Sequence, residues 1–182
     1  MKEISPDTIQ KASDGDKQAF QSIYRQCVPM VYNTALGISH CREDAQEITQ
    51  DVFYKAYTHL RTFAFRSSFA TWLYRITVNT ALNFVKKHKH LQKNRFFDEA
   101  FHEDQTPPFS ETEQQREELS THIRELLNQL NPDQRACMVL RVMQELTYKE
   151  IAQVLNVKIN TVRTRLIRAR KILLKYKQNK SL

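Results

Sequence analysis

Two glycines, Gly15 and Gly37, are all that this chain of 182 residues contains, and no other feature limits its fold as much. Hairpin turns, phosphate-cradling loops and close backbone contacts with ligands need positions that adopt positive φ without a side-chain clash, which glycine supplies best. A mostly β protein, a P-loop nucleotide hydrolase and a dinucleotide-binding α/β enzyme are therefore disfavoured, and an all-α architecture is expected. The length accommodates one medium domain or two small ones.

Charge narrows the partners. The chain carries a formal net charge of +8 with 41% hydrophobic residues, the balance of a packed protein that meets a polyanion, either nucleic acid or an anionic membrane. The charge is unevenly spread: residues 1–95 carry a net +6, residues 96–122 a net −7 and residues 123–182 a net +9. Two basic modules on either side of an acidic segment follow from this pattern. Within that segment, residues 96–110 contain Pro107-Pro108 and lack helical periodicity, and they read as an extended linker, either a solvated spacer or a strand of charge suited to a basic groove.

Three widely spaced cysteines, Cys27, Cys41 and Cys137, do not make a disulfide framework and imply no structural metal. No apolar run approaches the roughly 20 residues of a membrane span, and residues 1–10 have no signal-like apolar stretch. The expectation is a cytoplasmic chain without membrane insertion. His88-x-His90 is a poor cation site in its basic surroundings, and His40-Cys41 reads as a helix junction. No metal, cofactor or catalytic residue is expected, and the chain does not read as an enzyme.

Helical periodicity organises what remains. Ser5-Pro6 and Asp16 mark helix starts, and after Asp16 the apolar set Phe20, Ile23, Tyr24, Cys27, Val31 and Ala35 recurs at steps of three and four. Pro29 falls inside this run and is expected to kink or split it, with Gly37 near its end. From Arg42 to Leu60, Ala45, Ile48, Val52, Ala56 and Leu60 form one face, while Glu43, Glu47, Gln50, Asp51, Tyr54 and Lys55 point elsewhere. A third helix is predicted from Ser68 to about Lys89. Beyond the linker, residues 111–130 are helical in composition, with Leu119, Ile123, Leu126, Leu127 and Leu130 as the apolar stripe. Asn131-Pro132 is an N-cap followed by proline at the first helical position, and the helix it opens carries Ala136, Val139, Leu140 and Met143. Thr147 with Glu150 makes a capping box that opens a short helix to Leu155.

The last two helices, separated by Asn156-Val157-Lys158, have helix-turn-helix spacing, and Asn156 is the residue able to take the left-handed turn. On the final helix Val162, Leu166, Ala169 and Leu173 form the core stripe, and Asn160, Thr164, Ile167, Arg168 and Lys171 lie opposite, flanked by Thr161, Arg163 and Arg165. From Lys158 onward there are nine Lys/Arg and no acidic residue, the footprint of a helix that enters the major groove.

These residues carry a resemblance. The runs Leu130 to Arg135, Thr147 to Ala152 and Thr161 to Arg170 resemble the C-terminal promoter-binding domain of bacterial sigma factors of the sigma-70 family. Glu43 to Tyr57 resembles the segment that grips the clamp helices of the polymerase β′ subunit, and Phe69 to Leu82 resembles the segment that melts and reads the minus-ten element. The small two-part layout is similar to the extracytoplasmic-function (ECF) group.

The resemblance implies an all-α fold of two small helical domains: residues 1–95 for core polymerase binding and the minus-ten element, an acidic flexible linker over 96–114, and residues 115–182 with the helix-turn-helix for the minus-thirty-five element. It implies polymerase contacts at Glu47, Gln50, Asp51 and Tyr54, and minus-ten contacts at Trp72, Tyr74, Arg75, Asn79, Asn83, Lys86 and Lys87. Trp72 and Tyr74 lie about 200° apart on a helix and cannot both face one core, so at least one is available to stack on a base. Minus-thirty-five contacts are implied at Lys158, Asn160, Thr161, Arg163, Thr164, Arg165, Ile167, Arg168 and Lys171. The implied partners are core RNA polymerase through its β′ clamp helices and β flap, double-stranded and melted promoter DNA, and an anti-sigma factor, in a stress or envelope response. The linker would thread the polymerase cleft.

Two positions depart from the pattern. Asn83 stands where the family often has Asp, and Lys158 stands where a Ser commonly caps the recognition helix. Either Asn160 caps a later-starting helix or Lys158 is held by a phosphate. The competing reading is a stand-alone helix-turn-helix regulator, which needs only the C-terminal module.

Overall fold

The computed structural model describes residues 4–93, 123 and 125–180, and contains no strand among them. Helix α1 (Pro6–Ser13) starts at Ser5, whose hydroxyl accepts the Thr8 amide at 3.2 Å. Helix α2 (Lys17–Ser39) starts at Asp16, whose carboxylate accepts the Gln18 and Ala19 amides at 2.8 and 3.1 Å. Both caps satisfy amides that lack an intrahelical partner.

Pro29 does not split α2, which runs continuously through it. Proline removes one backbone donor, but Pro29 and Arg25 are exposed, so water can reach the Arg25 carbonyl that loses its partner. Gly37 lies near the end of the helix, as expected, two residues before its last residue Ser39. The chain turns at His40, at φ 65°, with its amide donated to Leu36 O at 2.9 Å.

Helix α3 (Arg42–His59) ends in a 3-10 turn (Leu60–Thr62), and α4 (Phe69–Lys93) extends beyond the expected end near Lys89. Ser68 caps α4 through the Thr71 amide at 3.1 Å. Helices α2, α3 and α4 pack around Ile23, Val31, Ile48, Val52, Leu73 and Val78, each at most 1% exposed. The apolar stripe of α3 accounts for this burial, since Ala45, Ile48, Val52, Ala56 and Leu60 are all in the core.

The linker and the start of the helix expected from Glu111 lie outside the described residues, and the chain is helical over 125–128. Helix α5 (Pro132–Met138) has Asn131 as N-cap, with a capping box completed by Gln134. It continues as a π turn (Val139–Met143), a widening that periodicity over Ala136 to Met143 does not announce. Helix α6 (Tyr148–Leu155) opens on the Thr147–Glu150 capping box and ends at Asn156, at φ 51° and ψ 48°. Helix α7 (Ile159–Lys180) packs on α5 and α6 through Val162, Leu166 and Ala169.

Asn156 takes its left-handed conformation because its short amide side chain tolerates it better than most residues with a Cβ. Replacement by alanine is expected to lower stability by about 1 kcal/mol, whereas Asn156→Gly is expected to match or exceed the parent. Urea midpoints of the two variants check this.

Buried residues of both modules join in one continuous apolar cluster, in which α4 meets α6, and α2 meets α5 and the π turn. Cys27 and Cys137 lie in it, and burial pushes both thiols up to about 11. At pH 8 an alkylating reagent is therefore expected to modify half-buried Cys41 first and to spare Cys27 and Cys137 until denaturant is added, as mass spectrometry would read. No helix among the described residues is long and apolar enough to cross a membrane.

Candidate polymerase and nucleic-acid interfaces

Three surfaces carry the residues singled out by sequence. The first is the outer face of α3. With Ala45, Ile48, Val52 and Ala56 turned to the core, helical spacing leaves Glu47, Gln50, Asp51 and Tyr54 exposed on the other side. Tyr54 is 71% exposed, an aromatic ring held in water on the same helix face as Glu47 and Asp51. Lys55 turns out differently from its neighbours: half-buried, it donates from Nζ to Thr80 Oγ1 at 3.1 Å and ties α3 to α4. At the start of α3, the Cys41 thiol donates to Glu43 Oε2 at 2.9 Å, and this bond is the main reason the Glu43 carboxyl lies below its ordinary range.

The second surface lies along α4. At 100° per residue, Trp72, Arg75, Asn79, Asn83, Lys86 and Lys87 share one stripe, and Tyr74 falls on the opposite side. Asn79, Asn83, Lys86 and Lys87 are exposed. Trp72 is half-buried in an aromatic cluster, 5.2 Å from the Phe63 ring and 5.4 Å from Phe69. Phe65 sits over Phe63 at 4.8 Å, half exposed and at φ 52°. The separation of Trp72 and Tyr74 expected from helical geometry is thus present.

Tyr74 is 6% exposed, and its hydroxyl donates to Gln144 Oε1 at 2.9 Å. Burial pushes this phenol up to about 12. Arg75 donates from Nη2 to Gln153 O at 2.7 Å. Both acceptors belong to the C-terminal module. His88 stacks on Phe84 at 4.1 Å, the side chain of His90 lies outside the described residues, and no cluster of metal-binding side chains occurs among the described residues.

The third surface is the outer face of α7. Lys158, Asn160, Arg163, Thr164, Ile167, Arg168 and Lys171 are exposed, and Thr161 is half-buried. Because α7 begins at Ile159, Asn160 lies inside the helix and cannot cap it; its Oδ1 accepts from Arg163 Nη1 at 3.2 Å instead. Lys158 immediately precedes the helix and opposes its dipole by roughly 0.3–1 kcal/mol. Arg165 stands apart from the other basic residues: it is half-buried and pairs with Asp133 at 2.8 Å, holding α7 against α5.

Sequence reasoning gave Arg135 no role. This guanidinium is 4% exposed and donates to three backbone carbonyls, Leu127 O at 3.1 Å, Leu130 O at 3.2 Å and Ile38 O at 3.0 Å. Burial pushes it down to about 10, which leaves it charged at neutral pH. A basic residue on an amphipathic helix normally reads as surface, so periodicity offers no signal for it.

Comparison with known proteins matches this chain to two family descriptions, "Sigma-70 region 2" over residues 23–91 and "Sigma-70, region 4" over residues 121–173. The chain is 31% identical to the RNA polymerase sigma-H factor of Pseudomonas aeruginosa over 172 residues, covering 89% of this chain and 88% of that protein. It is 30% identical to the ECF RNA polymerase sigma-E factor of Escherichia coli K12, with the same coverage of each. In fold it is similar to CnrH, solved with the cytosolic domain of CnrY, with a TM-score of 0.72 and 20% identity over 94% of this chain and 96% of that one. The sigma factor RpoE of Bartonella quintana, solved with the anti-sigma factor NepR, is similar with a TM-score of 0.65 and 23% identity over 87% and 96%.

Proposed function

This chain belongs to the ECF group of the sigma-70 family, and from that premise we propose how its surfaces divide the work of a sigma factor. It binds core RNA polymerase and directs initiation at specific promoters. The observation that carries the reading is the match of both sigma regions, in order, within one chain. A stand-alone helix-turn-helix regulator needs only the second.

Residues 1–95 form the part that binds polymerase and opens the minus-ten element, residues 96–114 the acidic connection, and residues 115–182 the part that reads the minus-thirty-five element. Glu47, Gln50, Asp51 and Tyr54 meet the β′ clamp helices, supported by their shared exposure on α3. At least one of Trp72 and Tyr74 supplies a ring for unpaired bases, Asn79 and Asn83 supply amides for base edges, and Arg75, Lys86 and Lys87 hold phosphates.

On α7, Asn160, Thr164, Ile167, Arg168 and Lys171 face base edges, with Lys158, Thr161, Arg163 and Arg165 toward the backbone; Arg165 must leave Asp133 or reach past it to do so. The C-terminal module also meets the β flap. The chain has no catalytic chemistry of its own, works in the cytoplasm beside polymerase, and is held in check by an anti-sigma factor in a stress or envelope response. The complexes of CnrH with CnrY and of RpoE with NepR support that last element.

Run-off transcription from a genomic DNA pool, with core polymerase in the presence and absence of the chain, tests the function. New start sites preceded by two spaced motifs are expected, and their absence with active core enzyme would overturn it.

A further inference from the structure

Helix α7 brings no carboxylate of its own, since the chain from Lys158 onward has nine Lys/Arg and no Asp or Glu. One of its arginines is nevertheless neutralised, by a residue of another helix. Arg165 donates from Nη2 to Asp133 Oδ2 at 2.8 Å, with the two side chains 25% and 49% exposed. At steps of four and three, Thr161, Arg165 and Arg168 follow one side of α7; Arg168 is exposed there, whereas Arg165 is drawn toward α5. An arginine on the flank of a groove-reading helix is placed for a phosphate, and Asp133 offers its guanidinium the same chemistry, an anionic oxygen within hydrogen-bond reach.

The start of α5 does not depend on this carboxylate. Asn131 accepts the Gln134 amide at 2.9 Å, Gln134 Oε1 accepts the Asn131 amide at 3.2 Å, and Pro132 fills the first helical position. We infer that Asp133 is a positioning residue for the DNA-binding helix, an internal substitute for a phosphate that keeps Arg165 paired while α7 lies in the groove. This rests on the function proposed above and deepens its account of α7, in which Arg165 is aimed at the backbone. A half-buried pair is screened by salt less than a contact at the open surface, so Arg165 stays with Asp133. Sequence-independent binding is thereby one phosphate contact weaker than the charge of α7 alone would give, and a larger share of the affinity falls to Asn160, Thr164 and Arg168.

Asp133→Asn tests this, because it keeps the shape of the side chain and removes its charge. The full chain, without polymerase, is titrated against a fluorescein-labelled duplex of mixed sequence, roughly 30 base pairs long, with anisotropy read between about 50 and 300 mM potassium chloride. A freed Arg165 that takes one phosphate should steepen the slope of log affinity against log salt by about 0.9. Counted from about 1 M salt, where such a contact contributes little, that slope tightens binding about eight-fold at about 0.1 M. A purely structural role for the ion pair would not move the slope. Asp133→Ala should behave in the same way. Adding Arg165→Ala to Asp133→Asn should return affinity and slope to those of the parent, since the double variant again presents no net charge at the pair. Unchanged or weaker binding in both single variants, or a gain that survives Arg165→Ala, would overturn the inference. The parent reports on the underlying function separately: no affinity for the duplex even at about 50 mM salt would remove α7 as a DNA-binding helix, whereas a parent that binds while the variants match it removes only the role of Asp133.

Discussion

Reversing charge at Glu47 and Asp51 together, to lysine, is expected to weaken binding to core RNA polymerase about 100-fold while leaving thermal stability nearly unchanged. Both residues are exposed on α3, away from the stripe of Ala45, Ile48, Val52 and Ala56 that holds the helix in the core. Neither makes a packing contribution that lysine would remove, and surface substitutions of this kind usually change stability by less than about 0.5 kcal/mol. Close charge pairs across an interface are worth at least about 1.5 kcal/mol each, so losing two gives roughly 3 kcal/mol, or about 100-fold. Fluorescence anisotropy of labelled chain against core enzyme reads the affinity, and a thermal melt reads the fold. Binding equal to the parent's would remove α3 from the polymerase interface. The double alanine variant should lose less, because it deletes attraction without adding repulsion.

Arg135→Ala is expected to cost about 3 kcal/mol, a fall of about 10 °C in melting temperature at roughly 3 °C per kcal/mol for a chain of this size. The guanidinium bonds three carbonyls, and its removal leaves Leu127 O, Leu130 O and Ile38 O without that donor and opens a cavity in a closely packed region. Part of the loss is offset, because a buried charge no longer has to be desolvated. Arg135→Met separates the two contributions: it restores most of the volume but none of the hydrogen bonds and is expected to recover about a third of the loss. Arg135→Lys should also fall short of the parent, since one ammonium cannot reproduce the planar fork that reaches three acceptors. A melting temperature within 2 °C of the parent for Arg135→Ala would contradict this account, and differential scanning calorimetry would measure it.

Much of the local structure was legible because its causes are local. Ser5, Asp16, Asn131 and Thr147 cap the helices that their side chains were expected to cap, and Asn156 takes the left-handed turn. Each needs only a few neighbouring residues to be satisfied. The failures came where neighbours in space decide. Pro29 was expected to kink or split α2, yet the exposed Arg25 carbonyl is reachable by water and the helix is not split. Gly37 lies near the helix end as expected, but nothing local marks it as the point where the π turn of the other module presses against α2. Asn160 was a possible cap for α7, and the helix starts two residues too early for it to act as one.

The outward surfaces were equally legible, because a core stripe fixes its own opposite face: Glu47, Gln50, Asp51 and Tyr54 on α3 and Arg163, Thr164, Arg168 and Lys171 on α7 are exposed as periodicity requires. Tyr74, Arg75 and Arg165 differ because each meets a residue distant in the chain: Gln144, Gln153 and Asp133, at separations of 70, 78 and 32 positions. Periodicity says which way a side chain points and nothing about what arrives there.

From the sequence alone came an all-α chain in two basic modules, the caps that start several of its helices, and the family whose motifs it carries, the first and second being consequences of composition and of interactions within a turn or two of helix. The tertiary structure alone decided that the modules close on one another, that Arg135 bridges them, and that Tyr74 and Arg75 of α4 meet Gln144 and Gln153. Those outcomes depend on burying apolar surface and satisfying backbone carbonyls between segments far apart in the chain, and no local pattern records which segments will meet.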